Sequence, residues 1–275
     1  MHDSASPGRA LVRRPGPRLA EGIVTHLERL PVDFDRALSQ WERYVSVLAD
    51  SGWEIIEVPP DDDSPDAVFV EDTVVMYQDL AVLCRPGAES RRPELGGTAA
   101  TLDELGYQVE PITGAGTLDG GDVLKVRSGS GATKTRPDTQ ADTVYVGLSG
   151  RTNEAGIEQL TRLLEPRGAT VIPVPISKVL HLKSAVTALP DGSVIGYEPL
   201  VDDRERFAAF VAVPEEPGAH VVLLGGKRLL MAAGAPRTME LLSARGYEPV
   251  PVEIDEFEKL EGCVTCLSVR LRANP

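Results

Sequence analysis

The sequence predicts an α/β protein in which one strand-strand-strand-helix module is repeated about five times, and two recurring phrases indicate this. In the first phrase a helix ends at a glycine, which suits the left-handed position that terminates helices. A short Val/Ile-rich strand with proline behind it then follows. The phrase occurs around Gly52, Gly106, Gly168 and Gly246, at spacings of 54, 62 and 78 residues.

The second phrase lies between occurrences of the first. An apolar strand, a turn and another apolar strand end at glycine or proline, and a polar bend then opens a helix, in residues 74–95, 122–156 and 220–242. Such repeats are typical of a propeller or an array whose neighbouring modules complete one another's cores. An ordinary α/β sandwich also alternates strands and helices, but the fixed order of both phrases favours the repeat. We expect residues 1–275 to form one domain.

Three segments stand outside this pattern. Residues 33–52 predict an amphipathic helix with one apolar face, formed by Phe34, Leu38, Trp41, Val45 and Leu48. Residues 128–142 are rich in Gly, Ser and Thr and interrupt a hairpin, which predicts a mobile surface loop. Residues 13–22 are punctuated by Pro and Gly, and form either a lid or an ordered N-terminal turn.

Composition excludes several classes of protein. Of 275 residues, 42% are apolar and 25% charged, which excludes wholesale disorder. The net charge of -14 argues against nucleic-acid partners and mildly favours cationic ligands. No run of 18 apolar residues or secretory h-region occurs, so we expect neither membrane spanning nor secretion. The three cysteines, Cys84, Cys263 and Cys266, are too few for a disulfide framework and predict a cytoplasmic protein.

The pair Cys263–Cys266 matches C-x-x-C but fits neither common use of that motif. A redox pair is expected at the start of a helix, whereas a strand-forming run follows here. A zinc site needs two more ligands, and the four histidines are scattered, so we predict no metal and no cofactor. Cys266 remains a candidate nucleophile if a base reaches it. His181 is the candidate base, although a structural histidine at a strand edge is an equally good interpretation.

Two acidic groups are candidates for binding a cation. Asp66, Glu71 and Asp72 lie in the apolar stretch 66–75, where carboxylates are costly unless they are paired. Asp119 and Asp122 flank Gly-Gly, which permits close backbone approach, although a self-capped turn is common there. The VED, DGGD, HLKS and CVTC segments hold similar places at the start of a module's hairpin, so a pseudo-symmetric ring brings them together.

Two arginine-bearing bends, in residues 89–94 and 148–156, each open a helix. Backbone N–H groups and a guanidinium together favour an anion such as a carboxylate. Arg91 and Arg151 are the candidate anion ligands, and Arg92 is expected to be solvated.

The motifs FVED, RPGAESRR, LDGGDV, VGLSGRTNEAG, VLHLKS and CVTCLSVRL, in that order over residues 19–272, resemble those of the dimethylarginine dimethylaminohydrolases in the guanidino-group-modifying (pentein) superfamily. The resemblance implies a five-bladed pseudo-symmetric α/β propeller with an axial active site. It also implies hydrolysis of Nω-methylated arginine, a small cationic amino acid, to citrulline and a methylamine without a cofactor.

The resemblance also assigns roles to individual residues. The catalytic group is Cys266 as nucleophile, His181 as general acid and base, and Asp119 as the carboxylate that orients His181. Asp72 and Glu71 bind the guanidinium, Arg91 and Arg151 the α-carboxylate, and Asp66 with carbonyls near Ile23 and Leu260 the α-ammonium. The chain departs from some relatives in carrying aspartate rather than glutamate at position 119, and Cys263 is not a catalytic position of the family.

Other functions remain open at this point. A deiminase or an amidinotransferase of the same superfamily is the nearest alternative, but those relatives are longer. A catalytically silent binding module is disfavoured because the cysteine, histidine and aspartate are all retained, and a redox or zinc protein comes last. A homodimer is compatible with the sequence, which decides neither the oligomeric state nor the preferred methylation state.

Overall fold

The computed structural model describes residues 8–127 and 142–271, which form five three-stranded sheets with five α-helices. The predicted loop at 128–142 falls almost wholly outside these residues. The strands are β1 (Arg9–Val12), β2 (Glu54–Glu57), β3 (Val74–Tyr77), β4 (Leu80–Leu83), β5 (Gln108–Pro111), β6 (Val123–Val126), β7 (Asp142–Leu148), β8 (Ala169–Pro175), β9 (Val186–Ala188), β10 (Val194–Gly196), β11 (Phe210–Ala212), β12 (Val221–Gly225), β13 (Arg228–Ala232), β14 (Glu248–Val252) and β15 (Val269–Leu271). The α-helices are α1 (Phe34–Asp50), α2 (Leu95–Glu104), α3 (Glu154–Leu164), α4 (Pro236–Ala244) and α5 (Asp255–Glu258).

All five sheets share one pairing scheme, which confirms the predicted repeat. The first strand runs antiparallel to the middle strand, and the middle strand runs parallel to the third, in the orders β3-β4-β5, β6-β7-β8, β9-β10-β11, β12-β13-β14 and β15-β1-β2. The order of elements within a module differs from the predicted one. The helix lies between the middle and third strands, because a parallel pair needs a crossover connection.

The helix-ending glycines are confirmed as left-handed, with φ of 89° at Gly52, 78° at Gly106, 85° at Gly168 and 85° at Gly246. The spacing of 78 residues between the last two has a structural reason. The module of β9, β10 and β11 has no α-helix in its crossover, which instead contains the short 3-10 helices Glu198–Leu200 and Arg204–Arg206. One repeat therefore lacks the helix that would end in a glycine.

Five separate apolar clusters join each sheet to the next. One lies between the sheets of β1 and β3, and the following ones join the sheets of β3 and β6, β6 and β9, and β9 and β12. The fifth returns from the sheet of β12 to that of β1, where α1 also packs. Side chains that alternate along a strand point to opposite faces, so Ala10 and Val12 enter one cluster and Leu11 enters its neighbour.

Helix α1 begins at the residue after Asp33, whose side chain accepts a hydrogen bond from the backbone N–H of Arg36 at 3.1 Å. Its buried face includes the predicted Trp41 and Leu48 together with Tyr44, while Phe34, Leu38 and Val45 pack at the margin of the same cluster. The phenol of Tyr44 donates to the carbonyl of Val264 at 2.8 Å and lies 2.7 Å from the Ser268 hydroxyl. The helix therefore anchors the turn before β15.

The segment 13–22 is packed into the protein. Arg13 is 1% exposed, and its guanidinium donates to the carbonyl of Glu94 at 3.0 Å, while Leu19 is buried in the cluster beneath α1. These contacts agree with the ordered-turn interpretation of the segment. Among the described residues, no helix is both long enough and apolar enough to cross a membrane.

The anchor at Tyr44 gives a stability prediction. Tyr44→Phe should lower the free energy of unfolding by about 1–3 kcal/mol, because a buried hydrogen-bond partner is lost. Urea unfolding measures this change. Tyr107→Phe, at a half-buried tyrosine, is the matched control and should stay within about 0.5 kcal/mol of the parent protein. Equal stability of the two variants would contradict the anchoring role.

Candidate active site

A cavity opens where the turns that precede the first strands of several modules meet. Its lining consists of Ile23, Asp66, Phe69, Asp72, Arg91, Arg151, Leu180, His181, Leu260, Glu261, Gly262 and Cys266. Eight of the ten residues predicted for the site are in this lining. The other two, Asp119 and Glu71, are buried.

The VED, DGGD, HLKS and CVTC motifs occupy similar positions in their modules, as predicted. Three of them form short 3-10 helices just before a first strand, Val70–Thr73 before β3, Gly120–Asp122 before β6 and Leu182–Ser184 before β9. The fourth, which holds Cys266, is a turn before β15. The first of these helices contacts the second, and the second contacts the third. The equivalent helix before β12, Glu216–Ala219, contributes no residue to the cavity lining.

His181 is held as a charged acid. Its Nε2 lies 3.0 Å from Oδ2 of Asp119, and its Nδ1 lies 3.8 Å from Oδ1 of Asp72. Burial of the ring opposes the charged form, but Asp72 and the hydrogen bond to Asp119 outweigh it and raise the pKa of His181 to about 9. The imidazole is therefore protonated at neutral pH.

Asp119 is completely buried and is fixed by backbone contacts. Its Oδ1 accepts from the backbone N–H of Gly87 at 3.0 Å, and its own N–H donates to the Thr152 hydroxyl at 3.1 Å. Both carboxylate oxygens are therefore used, one on the scaffold and one on His181. The aspartate at this position reaches the histidine without the extra methylene of a glutamate.

The two glycines of the DGGD motif are required by space. A Cβ on Gly120 would lie 2.0 Å from the carbonyl oxygen of Glu71, and one on Gly121 would lie 2.6 Å from Nδ1 of His181. The backbone N–H of Gly121 donates to Oδ1 of Asp72 at 2.9 Å. Close backbone approach is a recognised use of glycine, and here it brings the turns of three modules into contact.

Asp122 organises the site from behind. Its Oδ1 accepts from the backbone N–H of Leu182 at 2.9 Å, and its Oδ2 accepts from the Ser149 hydroxyl at 2.8 Å. Burial raises the pKa of Asp122 to about 6. One carboxylate thus ties the turn after His181 to the turn that carries Arg151. The sequence pointed to Asp122 as part of the motif but did not assign it this role.

Cys266 lies in a tight turn together with Cys263. The backbone N–H of Cys266 donates to the carbonyl of Cys263 at 3.1 Å, and the two Sγ atoms are 3.4 Å apart. The hydrogen bond with Cys263, burial and the negative charges of Glu71 and Asp72 raise the pKa of Cys266 well above its ordinary value. The resting side chain is therefore a thiol. The pair follows α5 rather than opening a helix, so it lacks the setting of a redox motif.

Asp72 and Arg91 form a buried ion pair at the cavity wall. Nη1 of Arg91 lies 2.6 Å from Oδ2 of Asp72, and Nη2 lies 2.8 Å from Oε2 of Glu94. Burial opposes ionisation of Asp72, but His181 and Arg91 outweigh it and lower its pKa to about 2. Arg91 also donates to the carbonyls of Asp66 and Phe69, so most of its donors are already used within the protein.

Glu71 lies behind the cavity with one oxygen paired and the other free. Its Oε1 is 2.7 Å from Nζ of Lys183 and 3.4 Å from Nη2 of Arg270. Its Oε2 is buried and makes no hydrogen bond among the described residues. The backbone N–H of Glu71 donates to the carbonyl of Cys266 at 3.2 Å, so this carboxylate lies beside the cysteine turn. A buried acceptor without a donor is costly.

Asp66 and Arg151 face the other end of the cavity. The Asp66 carboxylate accepts from the backbone N–H of Ile23 at 3.1 and 3.2 Å, and burial raises its pKa above the ordinary value. The guanidinium of Arg151 makes one long hydrogen bond, to the Thr25 hydroxyl at 3.4 Å. Arg151 therefore keeps more donors for a ligand than Arg91 does.

One buried cluster among the described residues has ligand atoms close enough together to hold a metal ion. Within residues 8–127 and 142–271, the group with suitably close ligand atoms is Asp72, Asp119 and His181, and the cysteine pair is not part of it. Metal ligation requires a deprotonated histidine, whereas the raised pKa of His181 keeps its ring protonated at neutral pH.

Four lining residues were not predicted from the sequence, namely Phe69, Leu180, Glu261 and Gly262. Phe69 and Leu180 each lie within a few residues of a predicted ligand, so their proximity to a motif was an available signal. Glu261 and Gly262 had the same signal, because they lie between the predicted ligand Leu260 and the cysteine pair.

Comparison with known proteins agrees with this geometry. The family model of N,N dimethylarginine dimethylhydrolase, eukaryotic, matches residues 31–206. The N(G),N(G)-dimethylarginine dimethylaminohydrolase of Streptomyces coelicolor is 60% identical over 264 residues, covering 96% of this chain and 97% of the relative. The enzyme of that name from Pseudomonas aeruginosa is 34% identical over 266 residues, covering 94% and 98%. A solved structure of the Pseudomonas aeruginosa enzyme, a Cys-to-Ser mutant complexed with citrulline, is 32% identical with a TM-score of 0.84, covering 96% of this chain and 99% of that one.

Five three-stranded sheets with one pairing scheme, and a cavity lined by a cysteine, a charged histidine and carboxylates, define a member of the guanidino-group-modifying (pentein) superfamily. Within that class, the chain belongs to the dimethylarginine dimethylaminohydrolase family.

The Asp119–His181 pair gives a prediction on titration. Asp119→Asn should lower the pKa of His181 from about 9 by at least about one unit, because a neighbouring negative charge is lost. NMR titration of the imidazole measures the change. Asn retains an oxygen for the N–H of Gly87, which limits structural damage.

The same pair affects stability. A histidine whose pKa rises on folding stabilises the folded state fully below its unfolded pKa of about 6.5, and this contribution is lost as pH rises through the folded value of about 9. Asp119→Asn should therefore flatten the decline in stability between pH 7 and 9. An unchanged His181 pKa would contradict the assignment of Asp119.

Proposed function

We propose that the protein hydrolyses Nω-methylated L-arginine, both monomethylarginine and asymmetric dimethylarginine, to L-citrulline and the corresponding methylamine through a covalent intermediate on Cys266. The observation that carries this proposal is that Cys266 lines one cavity with a His181 that Asp72 and the buried Asp119 keep charged. Membership of the dimethylarginine dimethylaminohydrolase family supports the substrate class.

The first half-reaction breaks the C–N bond to the methylated nitrogen. The Cys266 thiolate adds to the guanidinium carbon, which is a poor electrophile because its charge is shared among three nitrogens. The tetrahedral intermediate collapses as the His181 imidazolium gives its proton to the departing dimethylamine. A positively charged thiouronium group remains attached to sulfur, and His181 is left neutral.

The second half-reaction is hydrolysis of that thiouronium. Neutral His181 takes a proton from water, and the hydroxide adds to the same carbon. The C–S bond then breaks and the new hydroxyl group gives its proton to solvent, which releases neutral citrulline and the Cys266 thiolate, while His181 keeps the proton that it took from water. A histidine with a pKa of about 9 is suited to the acid step, and Asp119 keeps it oriented for both steps.

The thiolate has to be formed when substrate binds. The resting pKa of Cys266 is raised by Cys263, burial and nearby carboxylates, so the free enzyme holds a thiol. A bound guanidinium brings a positive charge next to the sulfur and favours ionisation. Glu71 and Asp72, which contribute to the raised pKa of Cys266 after Cys263 and burial, also carry the negative charge that attracts the activating substrate.

The guanidinium binds to Asp72, which is ionised and lines the cavity. Glu71 supplies a second acceptor, because its Oε2 is buried beside the cysteine turn without a donor. Carboxylates that hold the guanidinium rigidly fix the plane of the reacting carbon relative to sulfur.

The amino-acid end of the substrate binds at the opposite side of the cavity. Arg151 is the main partner of the α-carboxylate because its donors are largely free, and the charge of Arg91 supports it. Asp66 and the carbonyls of Ile23 and Leu260 receive the α-ammonium. A substrate that lacks the α-carboxylate would leave the Arg151 guanidinium in the cavity without an anionic partner. The arrangement therefore disfavours decarboxylated substrates.

We infer a closed propeller from the clusters between the sheets. Each sheet shares an apolar cluster with the next, and the fifth cluster returns to the first sheet. Five sheets joined in this way would surround an axis, and the position of the cavity at the turns before β3, β6, β9 and β15 supports a site near that axis.

Incubation with arginine, monomethylarginine and asymmetric dimethylarginine tests the function. Citrulline and released amine should form from both methylated substrates. Citrulline from arginine alone would instead favour an arginine deiminase and overturn the proposal.

Cys266→Ser should abolish turnover in the same assay while substrate still binds, because serine lacks a thiolate of comparable nucleophilicity. Cys84→Ala is the matched control at a buried cysteine outside the cavity lining, and it should retain activity. Appreciable turnover by Cys266→Ser would contradict the assignment of the nucleophile.

Arg151→Ala should raise KM for dimethylarginine by about tenfold or more, since a charge-assisted contact worth about 1.5–3 kcal/mol is removed. Steady-state kinetics measure the change. Arg162→Ala, on the helix that follows the same turn, is the control. If KM is unchanged in Arg151→Ala, the α-carboxylate is bound elsewhere.

A further inference from the structure

The segment that flanks the amino-acid end of the cavity, residues 23–27, packs against the apolar core through Val24 and is exposed beyond it. It contains no helix or strand, and its last three residues are exposed, including Leu27 at 49%. Such a segment needs specific polar contacts to hold one conformation, because ordering each residue costs conformational entropy. Ile23, whose carbonyl is assigned to the α-ammonium above, belongs to this segment.

One carboxylate supplies most of those contacts. Oε1 of Glu261 accepts from the backbone N–H of Thr25 at 3.1 Å and of Leu27 at 2.9 Å, and also from that of His26. Successive N–H groups that converge on one point form an anion-binding nest. A charged acceptor makes such bonds roughly twice as strong as a neutral one. The nest of residues 25–27 is therefore occupied by a side chain from 234 or more positions away.

Glu261 has an unusual backbone as well. Its φ is +61°, in the left-handed region that non-glycine residues rarely adopt. Its Oε2 is buried and has no hydrogen-bond partner among the described residues. A strained residue with a half-satisfied carboxylate persists only where its surroundings fix it, and here the nest is what fixes it.

Glu261 also lies between two cavity-lining residues, Leu260 and Gly262. Glu261 therefore connects the two sides of the α-amino subsite. Its backbone neighbours Leu260 and Gly262 line one side, and its carboxylate holds residues 25–27, which follow Ile23 on the other side. Asp66 and Arg151 also contact the 23–27 segment, but both are needed by the ligand. Among the polar contacts of the segment within the described residues, the one with Glu261 is independent of the groups assigned to the substrate.

We propose that Glu261 is a positioning residue which sets the separation of the Ile23 and Leu260 carbonyls by holding the nest of residues 25–27. This inference rests on the proposed function, since it concerns the α-amino subsite of that substrate. Glu261 acts through these two carbonyls and touches no reacting atom, so its removal weakens binding of the amino-acid end and leaves the chemistry at Cys266 largely unchanged.

Three variants test this role. Glu261→Ala removes the carboxylate, and Glu261→Gln keeps an oxygen at the position of Oε1. Both carry a Cβ as Glu does, so the left-handed backbone costs them about the same. Glu28→Ala, at an exposed glutamate of the neighbouring segment, is the control. The measurements are KM and kcat for asymmetric dimethylarginine, the Kd of citrulline, and hydrogen exchange of the backbone amides of residues 25–27.

The proposal expects KM and the Kd of citrulline to rise about tenfold in Glu261→Ala, which corresponds to about 1.4 kcal/mol, with kcat within about twofold. Exchange at residues 25–27 should accelerate, and Glu261→Gln should recover most of both effects. Faster exchange with unchanged KM and Kd would overturn it, as would an equal fall in kcat and kcat/KM. If the parent protein forms no citrulline, the proposed function fails. Unchanged hydrogen exchange in Glu261→Ala would separately show that Glu261 does not hold the nest of residues 25–27.

Discussion

The site depends on a turn in which two aspartates flank Gly120 and Gly121. Asp119 charges and orients His181, and Asp122 holds the backbone after His181 together with the Ser149 turn. Both contacts require glycine at positions 120 and 121. A Cβ on Gly120 would collide with the carbonyl of Glu71, and a Cβ on Gly121 would collide with the imidazole of His181. Four residues thus fix the relative placement of three modules.

Around that turn the buried carboxylates are only partly compensated by cations. Asp72 is shared between Arg91 and His181, while within the described residues Glu71 keeps one oxygen without a donor, and Asp66 accepts from the backbone N–H of Ile23. Buried carboxylates are costly unless they are compensated. A cationic amino acid supplies the missing compensation. The net charge of -14 therefore has a local part with a specific role.

Those parts of the fold and of the candidate site that depend on local sequence patterns could be predicted from the sequence. The helix-ending glycines gave the repeat, and the ordered motifs led to Cys266, His181 and Asp119, all of which lie at or behind one cavity. The absence of an α-helix from the module of β9, β10 and β11 was not predicted, because sequence patterns indicate helices that are present and give no sign of one that is absent. The inward bonding of Arg91 and the contact of Glu261 with residues 25–27 were missed because their partners are set by tertiary structure.

The pairing of β15 with β1 has a consequence for how the protein becomes active. These strands hold the largest sequence separation of any pairing in the described chain, and Cys266 lies just before β15. Contacts of such separation form late, because closing a long loop has to precede any gain from them. Asp119 and His181 can therefore meet while Cys266 is still unplaced. Cys266 reaches the cavity only when the first and last strands join, so the rate at which activity appears during refolding reports the pairing of β15 with β1.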